Sequence, residues 1–245
     1  MVTDNIWNKY NVDICRERVK EFISKCIEYL RIFNINKIHL CLLGDLFNGC
    51  IHLSCRVASE ENTVDQIMNV SELVAESIQE LSKYVNEVDV YSCYGNHART
   101  IQKKEDSIHA DNLEKLVPWW ISQRLQNNHK VKVLSSEYKE FTLVEVLGYN
   151  IVCVHGDLDN IREAATTFTT LFTRKFGKTI DMIVSGDKHH IEEIEKFNID
   201  AVIVPSLCGT DEYANNKRLY SSPAQTLMIF NRDEGRECTR VIKLK

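Results

Sequence analysis

Gly95-Asn96-His97 closes a short apolar run over residues 88–93. A strand that ends this way sets an amide oxygen beside an imidazole at a strand-to-loop edge. The amide oxygen can ligate a hard metal ion, and the imidazole can hold or donate a proton. Three other apolar runs end in comparable groups: Gly44-Asp45, His155-Gly156-Asp157 and Gly186-Asp187-Lys188-His189-His190. One such cluster is weak. Recurrence at successive strand ends points to a shared edge where these groups meet.

Each residue type brings its own chemistry. Asp45 lies in GDLFNG, and a carboxylate on a glycine-containing turn can bridge two cations through its two oxygens; taken alone it can equally cap a following helix. Asn96 offers a neutral oxygen ligand or a left-handed turn residue. His155 offers an imidazole ligand, although a lone histidine at a strand end is commonly a core residue. Asp187 and His189 are two positions apart and can face one edge, with His190 pointing away. A site with two cations about 3.5–4 Å apart, clamping a phosphate and activating a water, needs this kind of inventory. The mixed nitrogen and oxygen donors favour Mn²⁺ or a similar ion over cysteine-rich structural zinc.

The elements that must carry these groups read as follows. Residues 12–33 have apolar positions at helical spacing, with arginine and glutamate opposite, and predict an amphipathic helix. Residues 37–43 form a buried strand, 61–87 a second helix capped at Asn62 or Ser71, and 88–93 a further strand. Residues 109–127 predict a helix broken near Pro118, with Trp119 and Trp120 exposed or packed beneath a loop; they could stack a base, and core or partner packing is the weightier reading. Strands follow at 131–134, 141–147 and 149–154, with Gly148-Tyr149-Asn150 as a hairpin turn. A helix is expected over 158–176, and strands at 181–185, 201–205, 225–230 and 238–244. Helix–strand alternation followed by a strand-rich end predicts an α/β sandwich of layers. His39 and His52 read as structural, and 48–61 as a lip or a contact between copies of the chain.

The composition is ordinary for a globular chain: 44% hydrophobic and 27% charged over 245 residues. Few glycines and prolines and no linker-like tract predict one domain over 1–245. No apolar run approaches the roughly 18 residues that span a bilayer, so no membrane role is expected. The start, MVTDNIWNKYN, lacks the basic and apolar regions of a signal peptide. Nine cysteines with no CxxC pair suggest free thiols in a reducing cytoplasm, the host's if the gene is phage-borne. A net charge of −5 gives no global attraction to nucleic acid and leaves only a locally basic cleft for that purpose.

GDLFNG, YGNHAR, VHGD and GDKHH, in this order, resemble the motifs of the calcineurin-like metallophosphoesterase superfamily. GDLFNGCIH, SLCGTDEYA and SPAQTLMIF resemble its phage and bacterial branch related to DNA-repair exonucleases. The resemblance extends to about residue 230 and implies a four-layer α/β/β/α sandwich. It implies a metal-dependent phosphoesterase, foremost a phosphodiesterase or nuclease, acting on nucleic acid or a nucleotide. Asp45 would bridge two Mn²⁺ ions, with Mg²⁺, Fe or Zn²⁺ as alternatives. Asn96 and His155 would hold the second ion and His189 the first, with Asp187 standing where the family usually has histidine. His97 would act as acid or transition-state stabiliser, and Arg99, with Lys103 or Lys104, would contact phosphate. The family's opening Asp-x-His strand has no counterpart here, so the sandwich is expected to lack its first strand and the first site two ligands. A late start, a degenerate homologue, or a second chain supplying the strand each account for this. The rival function is a catalytically impaired binding or assembly protein, homo-oligomeric or partnered; a phosphomonoesterase or protein phosphatase stands third.

Overall fold

The computed structural model describes residues 1–136, 138 and 140–245. A small antiparallel pair, β1 (Thr3–Asp4) and β2 (Lys9–Tyr10), precedes α1 (Val12–Ile32). The α1 helix starts where the Asn11 side chain accepts the Ile14 N–H, satisfying one of the free donors of its first turn. Then come β3 (Lys37–Leu42), α2 (Leu53–Val57), α3 (Thr63–Leu81), β4 (Glu87–Ser92), α4 (Leu116–Arg124) and β5 (Val131–Val133). The second half holds β6 (Phe141–Val146), β7 (Tyr149–Val154), α5 (Ile161–Phe176), β8 (Met182–Ser185) and β9 (Glu192–Lys196). It ends with β10 (Ile199–Ile203), α6 (Glu212–Lys217), β11 (Ala224–Asn231) and β12 (Gly235–Lys243).

Two sheets face each other. The parallel sheet β3-β4-β5 is covered on its outer side by the helices α1, α3 and α4, through Ile23, Leu30, Ile78, Val88, Val90 and Ile121. The mixed sheet β6-β7-β8-β10-β9 is covered by α5. Between the sheets lie Tyr91, Val144, Ile151, Cys153, Met182 and Val184. The result is the expected α/β/β/α layering. On the α5 side, Phe168 and Phe172 pack around Phe141 of β6. Truncating one such buried ring costs about 3–5 kcal/mol, so α5 is firmly seated behind the ends of β7 and β8.

The hairpin β11–β12 supplies Leu227, Ile242 and Leu244 to the helix-facing core and Met228 and Phe230 to the inter-sheet core. It spans the same two layers as β3, yet it forms a sheet of its own with no register to β3.

Several local expectations shift. The second helix ends at Leu81, short of 87, and takes Asn62 as its cap. Pro118 does not break a helix; it lies in the first turn of α4, where a missing N–H leaves no intrahelical bond unmade, and a 3₁₀ turn at Leu113–Lys115 precedes it. The β6–β7 turn is Leu147-Gly148, both at positive φ (54° and 98°), while Tyr149 and Asn150 already belong to β7. Trp119 and Trp120 are not core residues: they are 56% and 37% exposed, and the Trp120 indole N–H donates to Glu72. The strand expected at 201–205 starts at Ile199, as the second arm of a hairpin with β9. Neither β9 nor α6 was foreseen. The residues of β9, Glu-Glu-Ile-Glu-Lys, look like a solvated charge run, and only the edge of a sheet turns them into alternating exposed and half-buried positions.

Candidate metal centre

Parallel strands put their carboxyl ends on one side. Asp45 follows β3, the 95–97 turn follows β4, His155 follows β7 and Asp187 follows β8. Because the two sheets face each other, all four ends converge, as in other open α/β sheets whose ligands sit beyond the carboxyl ends of their strands. One bond across the sandwich sets the alignment: the His155 Nδ1–H donates to the Leu43 carbonyl at 2.7 Å. In the neutral ring that leaves Nε2, which faces Asp45, Asn96 and Asp187, as the nitrogen with a free lone pair.

Around His155 Nε2 lie Asp45 Oδ2 at 3.3 Å, Asn96 Oδ1 at 3.4 Å and Asp187 Oδ1 at 3.6 Å. One donor atom each from Asp45, His155 and Asp187 falls within 4.8 Å of the others. Three oxygens and one imidazole suit a divalent cation, and the chemistry of the donor set fits the predicted second ion.

The turns are tight. Asp45 and Asp187 adopt positive φ (51° and 57°), unusual for residues with side chains and common where a site holds them in place. The backbones of Gly44 and Gly95 touch: a Cβ on Gly44 would lie 2.5 Å from the Gly95 nitrogen. The His97 N–H donates to Asp45 Oδ1 at 2.9 Å, so the two turns orient the carboxylate between them.

Burial opposes protonation of His155, but the hydrogen bond and charge of Asp45, aided by Asp187, outweigh it and lift its pKa to about 9. Burial likewise opposes ionisation of Asp45, and the contact with His155, together with His97, reverses that and holds its carboxyl low. In the metal-free chain the His155 imidazolium is therefore a cation at the centre, alongside the Lys188 ammonium on Asp187.

The profile of the calcineurin-like phosphoesterase family matches residues 14–204, more than three quarters of the chain and every residue of this centre. The chain belongs to that family. It is 24% identical over 239 residues to the SPbeta prophage-derived uncharacterized protein YonJ of Bacillus subtilis, covering 94% of this chain and 58% of that protein. The chain thus spans less than two thirds of its relative's length. Among solved structures, an archaeal phosphodiesterase is 16% identical with a TM-score of 0.46, covering 91% of each chain. Zinc-bound Vps29 of Entamoeba histolytica is 16% identical with a TM-score of 0.33, covering 65% of this chain and 82% of its own.

The remaining expected residues of this member of the family are placed differently. His189 lies outside the group formed by Asp45, His155 and Asp187. Burial lowers its pKa, opposed by the charges of Asp211, Asp45 and Asp187, so it faces the same acidic surroundings as a neutral ring. His97 borders the centre: its Nδ1 bonds the Asn48 carbonyl at 3.0 Å, and Nε2 is 3.8 Å from Asp45 Oδ2. His52, expected to be merely structural, sits edge-on to the His97 ring at 5.5 Å.

Arg99, expected to contact phosphate, is engaged within its own loop. It is buried, and its guanidinium donates to the carbonyls of Asn96 (2.5 Å), Ile101 (3.0 Å) and Gln102 (2.8 Å). Its donors shape the loop that carries Asn96 and His97. Lys104 is held by Asp157 at 2.7 Å. Lys188 pairs with Asp187 Oδ2 at 2.6 Å, the carboxylate oxygen other than the Oδ1 that faces His155.

Sequence inspection missed Glu114. It is buried to 1% exposure, and its two oxygens accept the N–H groups of Leu46 and Gly95, each at 2.6 Å. Burial raises its pKa, as does the charge of Asp45, against the pull of those two N–H groups. Nothing local in Asn-Leu-Glu-Lys distinguishes this glutamate from a solvated one.

Proposed function

We propose that this chain is a metal-dependent phosphodiesterase acting on nucleic acid or a nucleotide. The observation that carries the reading is the convergence of Asp45, Asn96, His155 and Asp187 from four strand ends across two sheets. These four would hold one divalent cation, Mn²⁺ by the character of the donors. His189, with Asp45 shared, would contribute to a second. When bound, such cations supply Lewis acidity to a phosphate and a nucleophile from water at neutral pH. The protein's own part is to orient Asp45 through the His97 N–H, to present Nε2 of His155, and to hold a proton on His97 Nε2 beside the leaving oxygen. A phosphodiester suits the acidic chain when its contact is confined to the centre, since tight binding along a nucleic acid draws on extended basic surface.

Hydrolysis of bis-p-nitrophenyl phosphate with Mn²⁺, compared with p-nitrophenyl phosphate, tests this. A faster diester rate is expected, and no turnover of either at any metal concentration would sink the enzyme reading. It would leave a binding or assembly protein on the same fold, the reading favoured by the position of His189 outside the ligand group.

Two more results are expected. His97→Ala should lower turnover about 100-fold or more, in the range of a lost general acid, with Mn²⁺ affinity unchanged by calorimetry. Metal affinity should also depend on pH. A cation binds the neutral His155 ring, whose proton is held with a pKa of about 9. Affinity should therefore climb about tenfold per pH unit below that value and level off above it, with one proton released per ion. A flat profile from pH 6 to 9 would remove the imidazolium from the centre. In the metal-free protein the raised pKa acts oppositely on stability. The contribution of His155 is complete below its unfolded value, about 6.5, and is lost as pH rises through about 9.

A further inference from the structure

Asp45 and Asn96 sit on loops following different strands, and a ligand set works only if such loops keep a fixed separation. Glu114 spans them: Oε1 accepts the N–H of Leu46, next to Asp45, and Oε2 the N–H of Gly95, next to Asn96. The glutamate is itself held in the 3₁₀ turn Leu113–Lys115. Its N–H donates to Asn112 Oδ1 at 2.9 Å, and Asn112 Nδ2 donates to the Gly95 carbonyl at 2.9 Å. The Leu113 N–H donates to the Ala98 carbonyl at 2.8 Å, binding the far end of the same loop.

We propose that Glu114 is a positioning residue whose carboxylate clasps the Asp45 and Asn96 loops at the spacing a divalent cation requires. This rests on the metal-dependent reading of the centre. The chemistry favours a carboxylate over any neutral side chain. Burying it is costly unless both oxygens are satisfied by hydrogen bonds. Here each oxygen meets one N–H at 2.6 Å, a bond that is charge-assisted in the ionised form. Glutamine offers one acceptor oxygen and an NH₂ group, so one of the two backbone N–H groups would face another donor. Aspartate is a methylene too short to reach both. The clasp's two hydrogen bonds go to loop backbone N–H groups, while its charge also acts on Asp45 and His155.

The test compares the full chain with Glu114→Gln, Asn112→Ala and Ile121→Ala. Ile121 is fully buried in α4, within the outer helix-facing core. Its truncation matches the others as a destabilising control that leaves the clasp intact. Mn²⁺ affinity is read by electron paramagnetic resonance and amide hydrogen exchange without metal. Glu114→Gln should weaken Mn²⁺ binding by about tenfold or more, the usual cost of losing an outer-shell partner. It should speed exchange at Leu46 and Gly95 while β4 keeps its protection. Asn112→Ala, which removes only the outer arm, should shift both readings in the same direction by less, and serves if Glu114→Gln does not fold. Ile121→Ala should lower the melting temperature and leave affinity as in the native chain. Native affinity in Glu114→Gln, or equal losses in Glu114→Gln and Ile121→Ala, would overturn the clasp. If the native chain itself binds no Mn²⁺, the metal reading falls, and this role falls with it.

Discussion

Gly95→Ala should abolish divalent-cation binding and hydrolysis together. A Cβ at this position would lie 2.1 Å from Asp45 Oδ1 and 2.2 Å from the Asp45 nitrogen. No atom pair tolerates that separation, and the obstacle is partly backbone, so rotation of a side chain cannot relieve it. The Asp45 turn has to move away from the β4 turn. That breaks the His97 N–H bond to Asp45 and strains the Glu114 grip on both loops. Overpacking of this kind costs about 1–3 kcal/mol in stability, which the two cores can absorb. The folded protein should therefore survive by circular dichroism while calorimetry detects no Mn²⁺ uptake. Native affinity in Gly95→Ala would mean that the turns are not tied as described.

Asp45→Asn should have the second large effect, with two separable readouts. Asp45 is the closest carboxylate to His155 and also takes the His97 N–H. Replacing it with an amide of the same shape removes a negative charge from the ligand set while keeping the volume. Cation affinity should fall by at least about 100-fold, the upper range for a perturbed ligand sphere. The second readout needs no metal. Asp45 is the main reason that the pKa of His155 stands at about 9, against a burial effect that pulls it down. With the carboxylate gone, burial should prevail over the weaker help from Asp187 and the Leu43 carbonyl. The His155 ring resonances should then titrate well below 9 in nuclear magnetic resonance spectra. An unmoved titration would show that Asp45 does not govern the centre.

The strand ends were legible because apolar runs closed by Gly-Asp, Gly-Asn-His or His-Gly carry a local signal: a buried strand stops where a tight turn begins. The helices α1, α3 and α5 were legible from their periodicity, although the far end of α3 was not, since Tyr84 and Val85 continue the apolar pattern past Leu81. The β9 strand was hidden because an edge strand rich in glutamate reads as surface. Arg99 was assigned to phosphate by the family resemblance of the YGNHAR motif. Which carbonyls fold back onto a guanidinium depends on the path of a loop, and the loop over 98–112 has little regular structure to announce it.

Residue types, their order and their places at strand ends were set by the sequence alone: donors of oxygen and imidazole, in a pattern matched by one enzyme family. Their meeting was decided by tertiary structure. The bond from His155 to the Leu43 carbonyl joins residues 112 positions apart, and Glu114 is 68 positions from Leu46. Spacing within a strand or helix follows from backbone geometry over a few residues. Contacts between two facing sheets follow from how their buried faces pack, so the centre, its buried imidazolium and the carboxylate behind it exist only once the layers have closed.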